Sequence, residues 1–263
     1  MRRRTTSWLL VVMAVLATGG VASAQTVFFE DWEAPAFGVG DSVNNNGWSG
    51  GGGAAPITIG TTGLGGSQSP THADCTGTCG SQPKIDLGQT FNSGPLFIQS
   101  FVDLTTGGAL ANITLGYHDA ADNLEALVIM GVGGLGTGPH RLLTTGEGGD
   151  GPSTDVSAMG GFPSGFMEVL MVTDFSAGTV DVSWRDVDDN SGAPTGAWVG
   201  PLDFSAVLGA SPDARFLRVG FNQNASGSPP STQDNIRVFV PEPASLALVG
   251  LGGLMLLGRR RRA

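Results

Sequence analysis

Alternating apolar and polar positions recur in short runs along the middle of the chain. In the clearest run, Thr179–Val187, the apolar Val180, Val182 and Trp184 alternate with polar residues. A period of two is the pattern of a half-buried β-strand. Similar or less alternating apolar runs occur at Phe216–Gln223, Ile113–Tyr117, Ile236–Val240, Val27–Phe29, Leu96–Leu104, Ala126–Met130 and Phe166–Val172. The pattern predicts about ten strands, the number expected of a two-sheet sandwich.

Helical periodicity is weak between these runs. Only Leu202–Leu208 offers enough apolar residues for about two helical turns. Glycine is frequent, at 43 of 263 residues, as expected where tight turns join many strands. We therefore predict an all-β fold with a single two-sheet antiparallel sandwich across residues 25–239. Its predicted core includes Val180, Val182, Trp184, Leu217, Val219 and Phe221.

The first 24 residues have the three parts of a secretory signal peptide. Arg2–Arg4 precede the apolar run Trp8–Ala17, and small residues follow, ending in Ala22-Ser23-Ala24. This order predicts export, with Ala22 and Ala24 forming the recognition positions and cleavage after Ala24. A permanent anchor is the alternative, but the apolar run is shorter than a membrane span requires.

The last 24 residues form a second segment with its own pattern. Pro241-Glu242-Pro243 precedes the uncharged stretch 244–258, and Arg259, Arg260, Arg261 and Arg262 follow. As a helix, 15 residues reach about 22 Å, short of the roughly 30 Å hydrocarbon core. Because arginines can snorkel and the bilayer can thin locally, the stretch still predicts a short transmembrane helix. The arginines are the predicted cytoplasmic stop-transfer signal.

This segment, residues 240–263 with its motif at 240–245, resembles the PEP-CTERM sorting signal of Gram-negative bacteria. The Pro-Glu-Pro motif, the apolar span and the arginine cluster stand in the order of that signal. The resemblance implies an exosortase as processing partner and a transient anchor in the inner membrane. It also implies delivery to the cell surface or to an exopolysaccharide matrix.

Charge is unevenly distributed along the chain. Of 13 basic residues, seven are arginines at the two ends, so the stretch Gln25–Val240 has six basic and 22 acidic residues and a net charge of −16. Such a surface repels nucleic acid phosphates. Nucleic acid is therefore excluded as a partner.

The beginning and end of the predicted sandwich carry a second resemblance. The segments "FFEDWEAPAFGVGDSVNNNGWSG" and "QDNIRVFV" resemble the first and last strands of secreted jelly-roll and concanavalin-like modules. The resemblance implies a structural calcium ion bound by Glu30, Asp31 and Asp234, since calcium takes six to eight oxygen ligands. The alternative is that these carboxylates are simply solvated at strand ends.

Motifs typical of enzymes are present only in incomplete form. Gly131, Gly133 and Gly136 match a dinucleotide fingerprint, but no helix is predicted after them to hold a pyrophosphate. The stretch 47–51 matches a nucleophile elbow but lacks the flanking strand and helix. A glycosidase needs two paired carboxylates, and no strand offers them at the right spacing. The sequence thus predicts a protein that is not an enzyme.

Two further stretches each admit two interpretations. Asp186–Gly192 resembles the start of a calcium loop, but Ser191 and Ala197 stand where an EF-hand has glycine and glutamate, and a capped hairpin turn explains the run equally well. Cys75 and Cys79 predict a disulfide in an oxidising compartment. The alternative is a metal site.

The sequence therefore predicts an exported protein with a non-catalytic structural or glycan-binding sandwich, with exopolysaccharide or other glycans as expected partners. The alternative is a secreted glycan-active hydrolase. Glycan binding requires exposed aromatic side chains next to polar groups. The candidates are Trp32, Trp48, Tyr117 and Trp198.

Overall fold

Strands account for most of the described chain. The computed structural model describes residues 24–44, 46–50, 57–72, 79–104, 111–131, 141–151, 153–223 and 232–241. The strands are β1 Ala24–Glu30, β2 Ile57–Gly60, β3 Ser69–His72, β4 Cys79–Ser81, β5 Lys84–Phe91, β6 Pro95–Asp103, β7 Ala111–His118, β8 Leu124–Gly131, β9 Arg141–Gly146, β10 Gly149–Asp150, β11 Thr154–Asp155, β12 Phe166–Asp174, β13 Thr179–Asp186, β14 Val199–Asp203, β15 Ala214–Gln223 and β16 Thr232–Pro241. The helical residues among those described form three short 3₁₀ turns, at Leu64–Gly66, Ser157–Met159 and Ser205–Val207.

One sheet contains six strands in the order β1-β16-β6-β12-β13-β14. Its centre is β12, which pairs antiparallel with β6 and with β13 over almost its whole length. The turn between β12 and β13 is held by Asp174, whose Oδ1 accepts hydrogen bonds from the backbone of Ser176 and Ala177. Gly178 closes this turn at φ 67°, a conformation in which other residues are strained.

The other large sheet contains eight strands. Its main order is β10-β9-β8-β7-β15-β4, with β11 also pairing β9 and β5 also pairing β15. A small third sheet is formed by β2 and β3. The first and last strands of the domain are neighbours in the six-stranded sheet, where the Arg237 side chain donates to Thr26 Oγ1.

Alternate residues of both large sheets fill the core between them. Val180, Val182, Trp184, Leu217 and Val219 are all buried, as predicted, whereas the Phe221 side chain lies outside the described residues. Tyr117 links the two layers, because its hydroxyl lies 3.0 Å from Thr173 Oγ1 on the other sheet. The all-β sandwich predicted from the alternating pattern is therefore confirmed.

The predicted helical turns at Leu202–Leu208 are wrong. The segment begins in the strand β14, and only Ser205–Val207 forms a 3₁₀ turn. Ser205 is the first residue of this turn, and its backbone N–H and its hydroxyl both donate to Asp203 Oδ1. Phe204 and Val207 are buried, so the apolar residues of this segment contribute to the core instead of forming one face of a helix.

The two ends of the chain carry the predictions that concern export. Thr26–Phe239 forms one compact unit, to which the two ends of the chain do not belong. Within the described part of the chain, no helix has the length and apolar character to cross a membrane. The signal peptide up to residue 23, the span 244–258 and Arg259–Arg262 lie outside the described residues, as do Glu242, Pro243, Cys75 and the Cys79 side chain.

Candidate functional site

The outer face of the six-stranded sheet carries a row of polar side chains across three strands. Glu168 on β12 stands directly opposite Arg185 on β13, and Arg185 Nε lies 2.5 Å from Glu168 Oε2. Gln99 on β6 donates to the other carboxylate oxygen, Oε1, at 2.5 Å. Glu168 is therefore fixed from both sides, and its side chain is only 5% exposed.

An exposed tryptophan completes this row. Trp198 precedes β14 and is 39% exposed, and the guanidinium carbon of Arg185 lies 4.4 Å from its ring centroid. This is a cation–π contact. Since Arg185 covers one face of the indole, the exposed surface belongs to its other face and its edges. We call Gln99, Glu168, Arg185 and Trp198 the outer platform.

A stacked pair of aromatic residues lies beside the outer platform on the same face. Phe97 on β6 and Phe239 on β16 stack with their centroids 5.0 Å apart. Arg237 lies over the Phe239 ring at 4.9 Å, and it is the cross-strand neighbour of Gln99. The face therefore combines flat aromatic surfaces with guanidinium and amide donors over four neighbouring strands.

Of the four aromatic residues predicted to be exposed, only Trp198 is. Trp32, Trp48 and Tyr117 have exposed fractions of 0–2%, so their prediction as ligand contacts is wrong. Trp32 and Trp48 pack against each other with centroids 5.0 Å apart, and Trp48 Nε1 donates to Glu30 Oε2 at 3.1 Å. The aromatic residues near the start of the domain thus form a small separate core. In the sequence, a tryptophan next to polar residues looks the same whether it is buried in such a core or exposed for ligand binding.

The three residues predicted to bind calcium have separate hydrogen-bond partners. Glu30 accepts from the Trp32 backbone and the Trp48 indole, and burial raises its pKa. Asp31 accepts from the Glu33 backbone. Among the residues that the structure describes, no three His, Cys, Asp or Glu side chains are grouped so as to hold a metal ion.

Asp234 is a fully buried carboxylate that holds a neighbouring segment. Its Oδ2 accepts from Leu64 N at 3.0 Å and from Ser67 Oγ at 2.7 Å, and its Oδ1 accepts from Asn235 N at 2.7 Å. Burial raises the pKa of Asp234, and the charge of Glu33 raises it further. Glu33 itself accepts from the backbone and side chain of Gln68. These two acids fasten residues 64–68.

The other motifs have structural explanations where the structure describes them. Gly131 ends strand β8, and Gly133 and Gly136 lie outside the described residues. Ser49 forms a β-bridge with Lys84. In the Asp186–Gly192 stretch, Asp188 Oδ1 accepts from the backbone of Asn190 and Ser191. That stretch is a capped turn.

Sequence reasoning missed Gln99, Glu168 and Arg185. Glu168 is the one charged residue in the apolar run Phe166–Val172, and a lone charge on a central strand is a signal for a built polar contact. Its two partners are 69 and 17 residues away in the sequence. Only the register of β6, β12 and β13 brings the three together.

Comparison with known proteins identifies the C-terminal segment. Residues 239–262 match the PEP-CTERM protein-sorting motif, which confirms the predicted sorting signal. The chain is therefore an exported protein that is sorted by an exosortase. No curated protein sequence matches the chain.

Solved structures resemble the sandwich at low sequence identity. The exoplasmic/lumenal domain of VIP36, in a Ca²⁺/Man-bound form, has a TM-score of 0.53 at 10% identity, over 82% of this chain and 91% of that one. The T. cruzi calreticulin globular domain has a TM-score of 0.49 at 10% identity, over 84% and 90%. The catalytic domain of a GH131 beta-glucanase from Podospora anserina has 0.42 at 12%, over 77% and 89%. The likeness to the VIP36 domain shows a lectin-like sandwich fold.

Proposed function

We propose that the sandwich is a non-catalytic glycan-binding module, presented at the cell surface or in the exopolysaccharide matrix. The PEP-CTERM motif supports the place, because it marks the chain as an exosortase substrate. We further propose that the producing cell is a Gram-negative bacterium and that the signal peptide is cleaved after Ala24. An anchor in the inner membrane then precedes processing by the exosortase.

The observation that carries glycan binding is the exposed Trp198 held against Arg185. A sugar ring offers a face of C–H groups that packs on an aromatic surface, and it offers hydroxyls to neighbouring donors and acceptors. Arg185 uses Nε for Glu168, so the N–H groups on its two terminal nitrogens lie outside that bond. The platform thus places an aromatic surface beside directed donors.

The outer platform is built for binding rather than for hydrolysis. A glycosidase of this kind requires a carboxylic acid and a second carboxylate on either side of the scissile bond. The carboxylate of Glu168 is paired with Arg185 and also bonded to Gln99. Both of its oxygens are thus engaged by neighbouring side chains, so this carboxylate orients Arg185 and Gln99, and the platform has no second carboxylate to pair with it.

The test compares polysaccharide binding by the exported protein and by Trp198→Ala. We expect the variant to lose about tenfold or more in affinity for the polysaccharides of the producing cell, because it loses the stacking surface. Affinity electrophoresis in gels that contain each polysaccharide measures the loss. Phe29→Ala is the matched control, since Phe29 is an exposed aromatic residue (52%) outside the platform.

Two results would contradict the proposal. The first is that no polysaccharide slows the wild-type protein relative to a gel without polysaccharide, which would leave a purely structural role. The second is release of reducing sugar ends by the wild-type protein, which would support the hydrolase alternative. Arg185→Ala serves as a second variant, and its melting curve separates lost binding from lost folding.

Calcium bound by Glu30, Asp31 and Asp234 stays a prediction. It is supported by the fold likeness to a VIP36 domain that binds Ca²⁺. The hydrogen bonds that Glu30 and Asp234 accept from protein donors do not fit a shared calcium site. Melting curves of the wild-type protein and of Asp234→Asn, in calcium and in chelator, test this hypothesis.

A further inference from the structure

Two adjacent strands of the eight-stranded sheet carry a group of cations that the outer platform does not use. Three of the six basic residues between Gln25 and Val240 lie on the adjacent strands β5 and β15, namely Lys84, Arg215 and Arg218. Lys84 and Arg218 stand directly opposite each other. Like charges in this position destabilise a sheet, so the pair is an unfavourable arrangement for stability alone.

The three cations share two carboxylates, Asp86 and Asp122. Arg215 forms an ion pair with Asp86, with 2.7 Å between Arg215 Nε and Asp86 Oδ1. Lys84 forms an ion pair with Asp122. Arg218 is absent from the ion pairs of the described residues, and it is about half-buried.

The contact of Arg218 with His118 fixes the state of that histidine. Arg218 Nη1 lies 2.6 Å from His118 Nε2, and because a guanidinium only donates, Nε2 must accept. His118 Nδ1 then carries the proton and donates to Asp122 O and Oδ1 at 3.0 and 3.1 Å. Burial lowers the pKa of His118, and the charge of Arg218 lowers it further. The imidazole is neutral, so Lys84 and Arg218 share the single negative charge of Asp122, which acts on both cations.

Arg218 and Lys84 are both partly exposed, whereas the sheet residues on two sides of Arg218 are buried. Its cross-strand neighbour on β7 is Gly116, and the next residue on the same face of β15 is Gly220. The space in front of Gly220 is occupied by the side chains of Thr114 and Gln82, and that in front of Gly116 by the β8 backbone, so a ligand would reach Arg218 from the side of Lys84. On the remaining side Lys84 lies over the ring of Phe216 at 5.4 Å, which adds an apolar surface beside the two cations.

We propose that Arg218 and Lys84, with His118 positioning the guanidinium, form a binding site for the carboxylate of an acidic sugar residue, such as a uronate in a polysaccharide. A carboxylate accepts two parallel hydrogen bonds from one guanidinium, and Arg218 has four N–H groups besides the one that faces His118. Lys84 adds a second positive charge, and Phe216 adds a surface for the sugar ring. This site is separate from the outer platform and lies on the other sheet.

The experiment titrates the exported protein with a trisaccharide of galacturonate and, separately, with the corresponding trisaccharide of galactose. Calorimetry measures affinity, and NMR of the imidazole nitrogens follows His118, assigned with His118→Asn. We expect the acidic trisaccharide to bind at least about tenfold more tightly than the neutral one. We also expect bound carboxylate to raise the pKa of His118, because a nearby negative charge favours its protonated form.

Variants identify the residue that carries the binding. Arg218→Gln is expected to lose roughly tenfold or more in affinity for the acidic trisaccharide. Arg215→Gln is the matched control, because this arginine lies on the same strand and is already paired with Asp86. Arg218→Lys keeps the charge without the fork and is expected to fall between the two. Melting curves exclude misfolded variants from the comparison.

Three outcomes would overturn the inference. They are equal affinity for the two trisaccharides, equal losses in Arg218→Gln and Arg215→Gln, and an identical shift of the His118 signals with inorganic sulfate at the same concentration. The last would indicate an adventitious ion only. Trp198→Ala is expected to bind the acidic trisaccharide as the wild-type protein does, so failure of the outer platform and failure of this site are distinguishable.

Discussion

At the scale of single residues, Glu125 shows how burial sets a charge in this sandwich. Its exposed fraction is 2%, and Gly209 N donates to its Oε1 at 3.2 Å. Burial, together with the charges of Glu147, Asp213 and Asp119, raises its pKa from 4.5 to about 7. The carboxyl group thus keeps its proton in the folded state at pH values at which the unfolded chain has lost it.

This difference makes stability depend on pH. Between about pH 4.5 and 7 the folded state binds more protons than the unfolded state, so the free energy of unfolding falls as the pH rises. Glu125→Gln removes this dependence and keeps the acceptor for Gly209. We expect it to raise the free energy of unfolding at pH 8 on the order of 2 kcal/mol, and to leave it unchanged at pH 4. Urea unfolding at the two pH values measures both.

The exposed Asp150→Asn is the control for this prediction. It changes the net charge of the protein by the same amount without changing a buried group. If Glu125→Gln lowers stability at pH 8, or if both variants gain equally, burial of Glu125 is not the cause of the pH dependence.

Residue roles were only partly predictable from the sequence. The alternation in Thr179–Val187 identified the core residue Trp184, because a strand buried on one face has a fixed period. Trp32 and Trp48 stand in an irregular segment in which no period separates buried from exposed positions. Their burial depends on packing against Phe37 and Phe28, contacts that the sequence pattern does not encode.

At the scale of elements, the central strands with a buried face were predictable and the mostly exposed edge strand β5 was not. β12 was expected at Phe166–Val172 and is found at Phe166–Asp174. β5 has a single buried residue, Leu87, in eight positions, so its alternation is too weak to be recognised. The segment around Leu202–Leu208 contains apolar residues at helical spacing, but pairing of β14 with β13 prevails.

Asp234 joins two elements, and its removal tests that link. We expect Asp234→Asn to lower the free energy of unfolding by about 1–3 kcal/mol. The amide has an NH₂ group in place of one carboxylate oxygen, so at least one of the donors Leu64, Ser67 and Asn235 loses its acceptor. Thermal melting measures the loss. Asp188→Asn, in an exposed turn, is the control and is expected to cost less.

The same melting curves recorded in millimolar calcium and in chelator separate two roles for Asp234. A carboxylate that only accepts hydrogen bonds gives the same loss in both media. A calcium ligand gives a wild-type melting temperature that rises with free calcium and a variant that no longer responds. The hydrogen bonds of Asp234 lead us to expect the first result.

At the scale of the whole molecule, sequence and structure describe different parts of the protein. The C-terminal sorting signal is identified by order and composition, since an enzyme recognises it as a linear segment. The proposed binding surfaces on the sandwich appear only after folding, because Gln99 meets Glu168, and His118 meets Arg218, through strand pairing. The two proposed sites lie on different sheets, so each can be tested without altering the other.

Export with this tail leads to a last prediction, about where the protein is found. Deleting residues 242–263 removes Glu242, Pro243, the apolar stretch and the arginines, and keeps β16 intact through Pro241. We expect the shortened protein to cross the inner membrane but to be lost from the cell surface, because an exosortase has no motif to recognise and no anchor delays its release. Fractionation and immunoblotting of surface, periplasm and medium measure the change. Trp198→Ala, which alters the sandwich and keeps the tail, should remain sorted as in the wild type. Equal surface retention of the shortened and complete proteins would mean that the sandwich, through its glycan contacts, and not the tail, determines the location.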